Sequence, residues 1–231
     1  MKLMSFNTQH CLNYTEQFVD FEKMAWAIDT LDADIVGLNE MFDEGHDAKF
    51  GAQTRKLSEL TELKNHFFAK AIDDECGPYG NGILSRYKIV SAKSIKIPDP
   101  EPRRYNGFYE TRCILKAELE NGLLVLVTHF GLNPDEQENA VLTLLDHIRD
   151  EKCILMGDFN VAPDNTVLNP IRERMVDTGA GFDASKMSWP SDKPQIKIDY
   201  IFVSPDIEVI SADIPEVIAS DHRPHVAEIK Q

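Results

Sequence analysis

The sequence has few cysteines, and none of them forms a pair that would suit a structural metal. The four cysteines are Cys11, Cys76, Cys113 and Cys153, and no two of them are spaced as C-x-x-C. Cys113 and Cys153 lie inside apolar runs, where a reduced thiol behaves as a small hydrophobic side chain. The cysteine pattern therefore predicts a reducing compartment and no structural zinc site.

Long apolar runs are also missing from the sequence. No stretch approaches the roughly 20 apolar residues that a transmembrane helix needs. The chain enters a strand-like run at residues 2–6 almost at once, which leaves no room for a signal peptide. There is no internal repeat and no low-complexity segment. We therefore expect a single domain over residues 1–231, in a cytoplasmic protein that acts as a monomer and has no membrane partner.

Positive charge is scarce as well. The chain carries 24 lysines and arginines against 39 aspartates and glutamates, which gives a formal net charge of −15. A surface this acidic repels phosphate backbones at long range, so it disfavours tight or processive binding of nucleic acid. It does not exclude a nuclease, since a metal ion and a few local cations could do that work. A well-solvated surface is an equally good interpretation of the charge.

Apolar segments with strand or helix periodicity fill much of the chain. Strands are predicted at 2–7, 34–38, 67–72, 82–85, 89–97, 113–120, 123–128, 153–156, 198–203 and 226–229. Helices are predicted at 16–31, 54–63 and 134–148, a loop at 98–109, and the least regular structure at 161–197. Asn121–Gly122 predicts a hairpin with a type I′ turn. The mix predicts an α/β fold of two packed sheets with helices outside.

Polar residues interrupt the apolar runs where these strands end. The metal- or phosphate-competent residues at these points are Asn7, Asn39–Glu40, His129, Asp158–Asn160 and Asp221–His222. Taken singly, asparagine and aspartate often end strands as turn formers, and a lone histidine such as His129 is more often structural. Asp199 lies inside an apolar strand, where a buried carboxylate needs a partner. So many sites of this kind in one chain favour a shared function.

In this order, these residues resemble the endonuclease/exonuclease/phosphatase family of DNase I-like phosphoesterases. The resemblance runs from residue 4 to about residue 229, through the motifs GDFN at 157–160, IDYI at 198–201 and SDH at 220–222. It implies a four-layer α-β-β-α sandwich, two mostly antiparallel sheets flanked by helices, with the site at one end of the sheets. Two features depart from the family. Asn39 stands where glutamine often precedes the metal-binding glutamate, and the chain is short, which predicts trimmed loops around the substrate.

The family resemblance also implies a divalent cation, Mg²⁺ or Mn²⁺. Hydrolysis of a phosphate ester needs an activated water, neutralised phosphoryl oxygens and help for the leaving group. A hard cation prefers oxygen ligands. Glu40 is the best-placed metal ligand, Asn7 adds its amide oxygen, and Asp221 binds the same metal or a second one.

The remaining matched residues take catalytic roles in the resemblance. Asp158 fits the carboxylate that orients water, and Asn160 can donate an amide N–H to the transition state. His222 would contact the scissile phosphate, while Asp199 would orient its imidazole and favour the charged form. His129 would donate to a phosphoryl oxygen.

Four further residues each have two open interpretations. Asn81, in a glycine-rich segment, is either a phosphate contact or part of a turn. Arg112 either contacts phosphate or forms a surface salt bridge. Arg103 and Arg104 are either a substrate clamp or a solvated pair.

The leading functional interpretation is a phosphoesterase that acts on a small soluble or nucleotide-like phosphorylated substrate. The alternatives are a DNA nuclease, such as an abasic-site endonuclease, a lipid phosphodiesterase and a non-catalytic binding module. A binding module should have lost Glu40, Asp158 or His222, and all three are present. Fold alone does not decide between these functions.

Overall fold

The computed structural model describes residues 1–45, 47 and 49–230. The strands are β1 (Lys2–Asn7), β2 (Ile35–Phe42), β3 (Asn65–Asp74), β4 (Gly77–Ser85), β5 (Ile89–Lys96), β6 (Cys113–Leu119), β7 (Leu124–His129), β8 (Cys153–Asp158), β9 (Val176–Asp177), β10 (Asp199–Val203), β11 (Glu208–Asp213) and β12 (His225–Lys230). The helices are α1 (Phe21–Leu31), α2 (Gln53–Leu60), α3 (Pro134–Leu145) and α4 (Asn169–Arg172). Within these residues, no helix is both long and apolar enough to cross a membrane.

The strands form two sheets of six. The first sheet has the order β11-β12-β1-β2-β4-β3, and the second has the order β5-β6-β7-β8-β10-β9. The pairs β1–β2 and β7–β8 are parallel, and the other pairs are antiparallel. Each parallel pair is joined by a crossover that contains a helix, α1 in the first sheet and α3 in the second.

Three apolar layers hold the sandwich together. The layer between the sheets includes Leu3, Ile35, Val127, Ile154 and Ile201, all fully buried. A second layer packs α1 and α2 against the outer face of the first sheet, and a third packs α3 and α4 against the outer face of the second. Side chains alternate along a strand, so β10 can serve two of these layers at once. The predicted four-layer α/β sandwich is thereby confirmed.

Several boundaries differ from the sequence-based expectation. Helix α1 begins at Phe21 rather than at residue 16, because Asp20 is extended and its side chain caps the helix by accepting from the backbone N of Lys23 at 2.9 Å. Strand β11 was not expected. It is an edge strand whose side chains are exposed or half-buried, so it leaves little apolar signal in the sequence.

The predicted hairpin between β6 and β7 is present, but its expected turn type is wrong. Only Gly122 has a positive φ, at 85°, and its N–H donates to the carbonyl of Leu119 at 2.9 Å. A type I′ turn needs positive φ at both central residues. The connection is therefore a four-residue turn from Leu119 to Gly122, and the glycine at its last position is left-handed.

The two parallel pairs bring the strand-end residues to the same end of the sandwich. Asn7 is paired with Asn39 across β1 and β2, and His129 is paired with Asp158 across β7 and β8. Asp199 begins the neighbouring antiparallel strand opposite Asp158. The carboxyl ends of parallel strands meet at one edge, so these residues converge.

Asn39 ties the two sheets together at this end. Its amide nitrogen donates to the side-chain oxygen of Asn81 at 2.8 Å and to the carbonyl of Thr128 at 2.9 Å. Its amide oxygen accepts from the backbone N–H of Asp158 at 2.9 Å. Asn39 is fully buried, and these bonds join β2 and β4 of the first sheet to β7 and β8 of the second. The residue that departs from the family pattern thus fixes the distance between the two halves of the site.

Gly157, which precedes Asp158, leaves no room for a side chain. Its φ is 150°, and an added Cβ would lie 1.8 Å from the carbonyl oxygen of Thr128. We predict that Gly157→Ala lowers the free energy of unfolding by about 3 kcal/mol or more, through strain and backbone displacement. Urea denaturation measures this change.

The matched control is Gly181→Ala, because nothing lies within 4 Å of a Cβ at that position. This variant should unfold within about 0.5 kcal/mol of the wild type. Equal stability of the two variants would contradict the packing argument at Gly157.

Candidate active site

A cavity of about 750 Å³ opens where β1, β2, β7 and β8 end. Seven of the residues proposed from the sequence line it, namely Glu40, Arg112, His129, Asp158, Asn160, Asp221 and His222. Asn7, Asp199 and Asn81 are buried, at most 2% exposed, and do not line the cavity. The chain therefore brings the strand-end residues into one pocket. Asn7 and Asp199 lie behind the lining residues, to which they are hydrogen-bonded.

Glu40 reaches the pocket because strand β2 is irregular at this point. The pairing with β4 shifts register between Leu38 and Met41, and Glu40 has a left-handed φ of 58°. A bulge of this kind re-aims a side chain without ending the strand. The backbone conformation of Glu40 thus turns its carboxylate toward the ends of the neighbouring strands.

Asn7 connects two of the acids. Its amide nitrogen donates to Glu40 Oε1 at 2.9 Å and to Asp158 Oδ2 at 3.1 Å, while its oxygen accepts from the backbone N of Gln9 at 3.1 Å. The sequence predicts that the amide oxygen of Asn7 faces the metal site beside Glu40. In the structure, its amide nitrogen faces the carboxylates of Glu40 and Asp158 instead. A rotation of the amide group by about 180° would present the oxygen instead.

His10 is a site residue that the sequence reasoning missed. Its Nε2 lies 3.5 Å from Glu40 Oε2, and its ring packs against Phe42 and Tyr79 with centroids 5.0 and 5.5 Å away. Gln9, His10 and Cys11 all have left-handed φ values between 47° and 59°. A histidine three residues beyond Asn7 was the only available signal, and the backbone conformation that aims it is not readable from the sequence.

Asp199, His222 and Asp158 form a chain of charges. His222 Nδ1 lies 2.8 Å from Asp199 Oδ2, and its Nε2 lies 3.6 Å from Asp158 Oδ2. Burial alone would lower the pKa of His222, but the carboxylates of Asp199 and Asp158 raise it to about 10. His222 is therefore an imidazolium at neutral pH, with one proton shared with Asp199 and the other facing Asp158 and the pocket.

The surroundings of Asp158 disfavour the ionised form of its carboxyl group. Burial raises the pKa of its carboxyl group, against the positive charge of His222, and the neighbouring charge of Asp199 raises it further. The backbone N of Asn160 donates to Asp158 Oδ1 at 2.9 Å. Such a carboxylate is poised to accept a proton or to attract a cation.

His129 is neutral, and Arg112 fixes its tautomer. Burial, together with the charges of Arg112 and His222, lowers the pKa of His129 well below its usual value. Arg112 Nη1 lies 3.1 Å from His129 Nδ1, and since a guanidinium only donates, Nδ1 is the acceptor. The neutral ring then carries its proton on Nε2, which faces Asp158 Oδ2 at 3.5 Å and the pocket, while the amide nitrogen of Asn160 donates to the carbonyl of Phe130 at 3.0 Å and not to the ring.

Arg112 forms a salt bridge with Glu110, but this salt bridge is largely buried and does not lie at the surface. Its side chain is 12% exposed, and Nη1 lies 2.5 Å from a carboxylate oxygen of Glu110. Asn81 does not project into the pocket. Its amide nitrogen donates to the carbonyl of Cys113 at 3.0 Å, and its oxygen accepts from Asn39. Asn81 thus supports Asn39 rather than facing the cavity.

Arg103 and Arg104 lie away from the cavity. The guanidinium of Arg103 lies 4.7 Å from the ring centroid of Tyr109, and Arg104 pairs with Glu138 at the surface of α3. Both side chains therefore have partners within the protein, and neither lines the pocket.

The cluster has an excess of acid that suits a hard cation. Asp221 lines the cavity, where burial raises its pKa and the charge of Glu40 raises it further. Asp158, Asp199 and His222 have ligand atoms within 4.8 Å of one another and could hold a metal. However, a histidine that binds a metal must be neutral, whereas His222 carries a proton on Nδ1 that bonds to Asp199. This proton disfavours a metal between these three residues. Glu40 and Asp221 offer carboxylate oxygens with no histidine bonded between them, and Asn7 would add its amide oxygen after the rotation described above.

The two six-stranded sheets and their flanking helices form a DNase I-like fold. A family model described as the endonuclease/exonuclease/phosphatase family matches residues 4–222. The chain belongs to this family, whose members are hydrolases that act on phosphate esters and generally depend on divalent metals. The family and the fold expected from the strand-end motifs are both confirmed.

Solved structures of low sequence identity share this fold. An endonuclease/exonuclease/phosphatase from Beutenbergia cavernae is 21% identical with a TM-score of 0.78, over 100% of this chain and 71% of the other. A mannosyl-6-phosphatase from Bacteroides thetaiotaomicron is 16% identical with a TM-score of 0.75, over 100% of both chains. The human Nocturnin catalytic domain, with a bound sulfate anion, is 19% identical with a TM-score of 0.68, over 100% of this chain and 94% of the other. A search of curated proteins finds no match.

We predict that His222 stays charged across the neutral range because of Asp199. In metal-free protein, the ring-nitrogen shifts of His222 should stay those of an imidazolium between about pH 5 and 8, with only the smaller change produced by titration of the adjacent Asp158, whose pKa is raised to about 7. Asp199→Asn removes the carboxylate that favours the charged ring, so the pKa of His222 should fall by about one to three pH units or more.

The control for this titration is Asp150→Asn, which removes an exposed carboxylate that pairs with Arg174. It should leave the His222 signals unchanged. A wild-type His222 that titrates near the ordinary value of 6.5 would contradict the assignment.

Proposed function

We propose that this chain is a divalent-metal-dependent phosphoesterase whose substrate is a small soluble molecule with one phosphate group in the site. The observation that carries the proposal is the Asp199–His222–Asp158 chain of charges beside Glu40, in a pocket that also contains neutral His129. It joins a buried cation, a carboxylate with a raised pKa and a neutral donor within one cavity. Those are the groups that hydrolysis of a phosphate ester requires.

The proposed metal ligands are Glu40, Asn7 and Asp221. Glu40 is held from one side by Asn7 and approached from the other by His10, so its carboxylate is oriented before any cation binds. Mg²⁺ or Mn²⁺ bound there would neutralise phosphoryl oxygens as a Lewis acid. Asn7 would present its amide oxygen after the rotation described above.

The other residues have separate proposed roles. His222, as an imidazolium, would donate from Nε2 to a phosphoryl oxygen and neutralise part of its charge. Asp158 would orient the attacking water and accept its proton, for which its raised pKa suits it. His129 Nε2–H and the amide of Asn160 would donate to the developing charge. Asp199 would act through His222, by holding its ring and its charge.

The charges around the cavity favour a small substrate over duplex DNA. Arg112 is the only arginine among the described lining residues, and the carboxylate of Glu110 beside its Nη1 offsets its charge. Asp74 and Glu110 also line the cavity, so a second phosphate would meet carboxylates. Together with the net charge of −15, this opposes binding along a polyanion. The mannosyl-6-phosphatase of the same fold is consistent with a small phosphoester as substrate.

We predict that activity is lost in EDTA and restored by Mg²⁺ or Mn²⁺, measured as phosphate release from a panel of small phosphoesters. Glu40→Gln should lower the apparent affinity for the metal about tenfold or more, because it removes the principal charged ligand. The control is Glu44→Gln, which changes an exposed carboxylate that pairs with Arg55. Full turnover of metal-free protein would refute the proposed cofactor.

We also predict that Asp158→Asn and His222→Ala each lower kcat by about a hundredfold or more on the best substrate of the panel. His66→Ala serves as the control, since His66 bonds to Ser58 on α2, outside the cavity. Near-wild-type rates in either site variant would remove that residue from its role.

Abasic-site duplex DNA belongs in the same panel as the small phosphoesters. A large preference for that DNA in kcat/KM, falling steeply as salt rises, would replace this proposal with a nuclease function.

A further inference from the structure

Three large apolar side chains are exposed around the mouth of the catalytic cavity. Phe108 is 68% exposed, Leu132 is 58% exposed and Trp189 is 40% exposed, and all three line the cavity that contains Glu40 and His222. We call Phe108, Leu132 and Trp189 the apolar rim. Exposed apolar groups that gather at a concave site indicate ligand contact, whereas isolated ones need no explanation.

The backbone around Phe108 is held against the start of α3 by polar bonds. Asn133 Nδ2 donates to the carbonyl of Phe108 at 2.7 Å, and the backbone N of Glu110 donates to Glu136 Oε1 at 3.1 Å. An added Cβ at Gly107 would lie 2.2 Å from Asn133 Oδ1, so the loop lies directly against the start of α3. These contacts fix the backbone position from which the exposed side chain of Phe108 extends.

Trp189 is anchored in a similar way. Its Nε1 donates to Asp221 Oδ2 at 3.3 Å, which leaves the ring beside the proposed metal-binding acids. Covering the apolar surface of the rim with a ligand would remove it from water, which favours binding.

The size and charge of the cavity restrict what the rim can contact. A volume of about 750 Å³ is far more than one phosphate group fills, and lies in the range of sites for drug-sized ligands. Asp74 and Glu110 are acidic neighbours on the same wall. The part of the ligand beyond its phosphate should then carry no further negative charge, and the three exposed side chains match an apolar face.

We propose that the apolar rim is the subsite for the leaving group, and that the substrate is a phosphoester whose organic part is an uncharged group with an apolar ring. This inference rests on the proposed phosphoesterase function, because it places the phosphate at the floor of the same cavity. Phe108 and Leu132 would bind the ring directly and determine specificity. Aryl alcohols and nucleosides share this chemistry, while polyanions and small polar alcohols lack it.

Binding of non-hydrolysable probes tests the rim independently of catalysis. In calorimetric titrations of the Mn²⁺-loaded protein, 2-phenylethylphosphonate should bind about tenfold or more tightly than 2-hydroxyethylphosphonate. Phe108→Ser and Leu132→Ser should each remove most of that difference and leave the affinity for the hydroxyethyl probe unchanged. Both side chains are exposed, so both variants should fold normally.

The matched control is Leu142→Ser, since Leu142 is 63% exposed on α3 and does not line the cavity. It should not change either affinity. Equal binding of the two probes by the wild type, or loss of both in the rim variants, would overturn the rim proposal.

Hydrolysis of 2-phenylethyl phosphate and glycerol 1-phosphate, two esters of alkyl alcohols, separates the two proposals. The rim predicts a lower KM for the phenylethyl ester with little difference in kcat, since contacts made equally in the ground and transition states act on KM. If no phosphoester of the panel, these two included, is hydrolysed while the phenyl preference in binding persists, the phosphoesterase function fails and the rim remains a binding site for an apolar ring, not a leaving-group subsite. If both esters are hydrolysed with equal KM, the rim fails and the function stands.

Discussion

The burial of carboxylates at one end of two packed sheets is the constraint on which this structure depends. Asp158 and Asp199 are at most 2% exposed, and Glu40 and Asp221 complete the cluster in the cavity. Buried charges are costly unless they are paired, and among the described groups only His222 is a cation lying between two of these acids. Its Nδ1 proton bonds to Asp199 Oδ2, and its Nε2 proton faces Asp158. The remaining negative charge, on the side of Glu40, is what would attract a divalent cation.

The local features of the fold all serve to hold these acids close together. Asn39 makes three hydrogen bonds, and two of them join the sheets, one to the carbonyl of Thr128 and one from the backbone of Asp158. Gly157 allows β8 to approach β7 more closely than any side chain would permit. Glu40 adopts a left-handed conformation within a strand bulge. Strain of this kind is expected where a fold fixes functional groups, because the surrounding packing must compensate for it.

The fold and most residues of the site could be predicted from the sequence, whereas the geometry of the site could not. Polar residues that interrupt buried strands are visible in sequence, so Glu40, Asp158 and His222 could be predicted to meet at one end of parallel strand pairs. Which atom of Asn7 faces the acids depends on hydrogen-bond partners from distant strands. The exposure of Phe108 depends on a loop held by α3. These tertiary effects leave no periodic signal in the chain.

The most direct test of this account is the position of the metal ion. An anomalous-diffraction map of crystals soaked in Mn²⁺ would locate the cation without reference to activity. The account predicts a peak about 2.1 Å from a carboxylate oxygen of Glu40, with His222 still hydrogen-bonded to Asp199. A single peak ligated by Asp158, Asp199 and His222 would contradict it, because His222 would then be a neutral ligand and not the buried cation of the site.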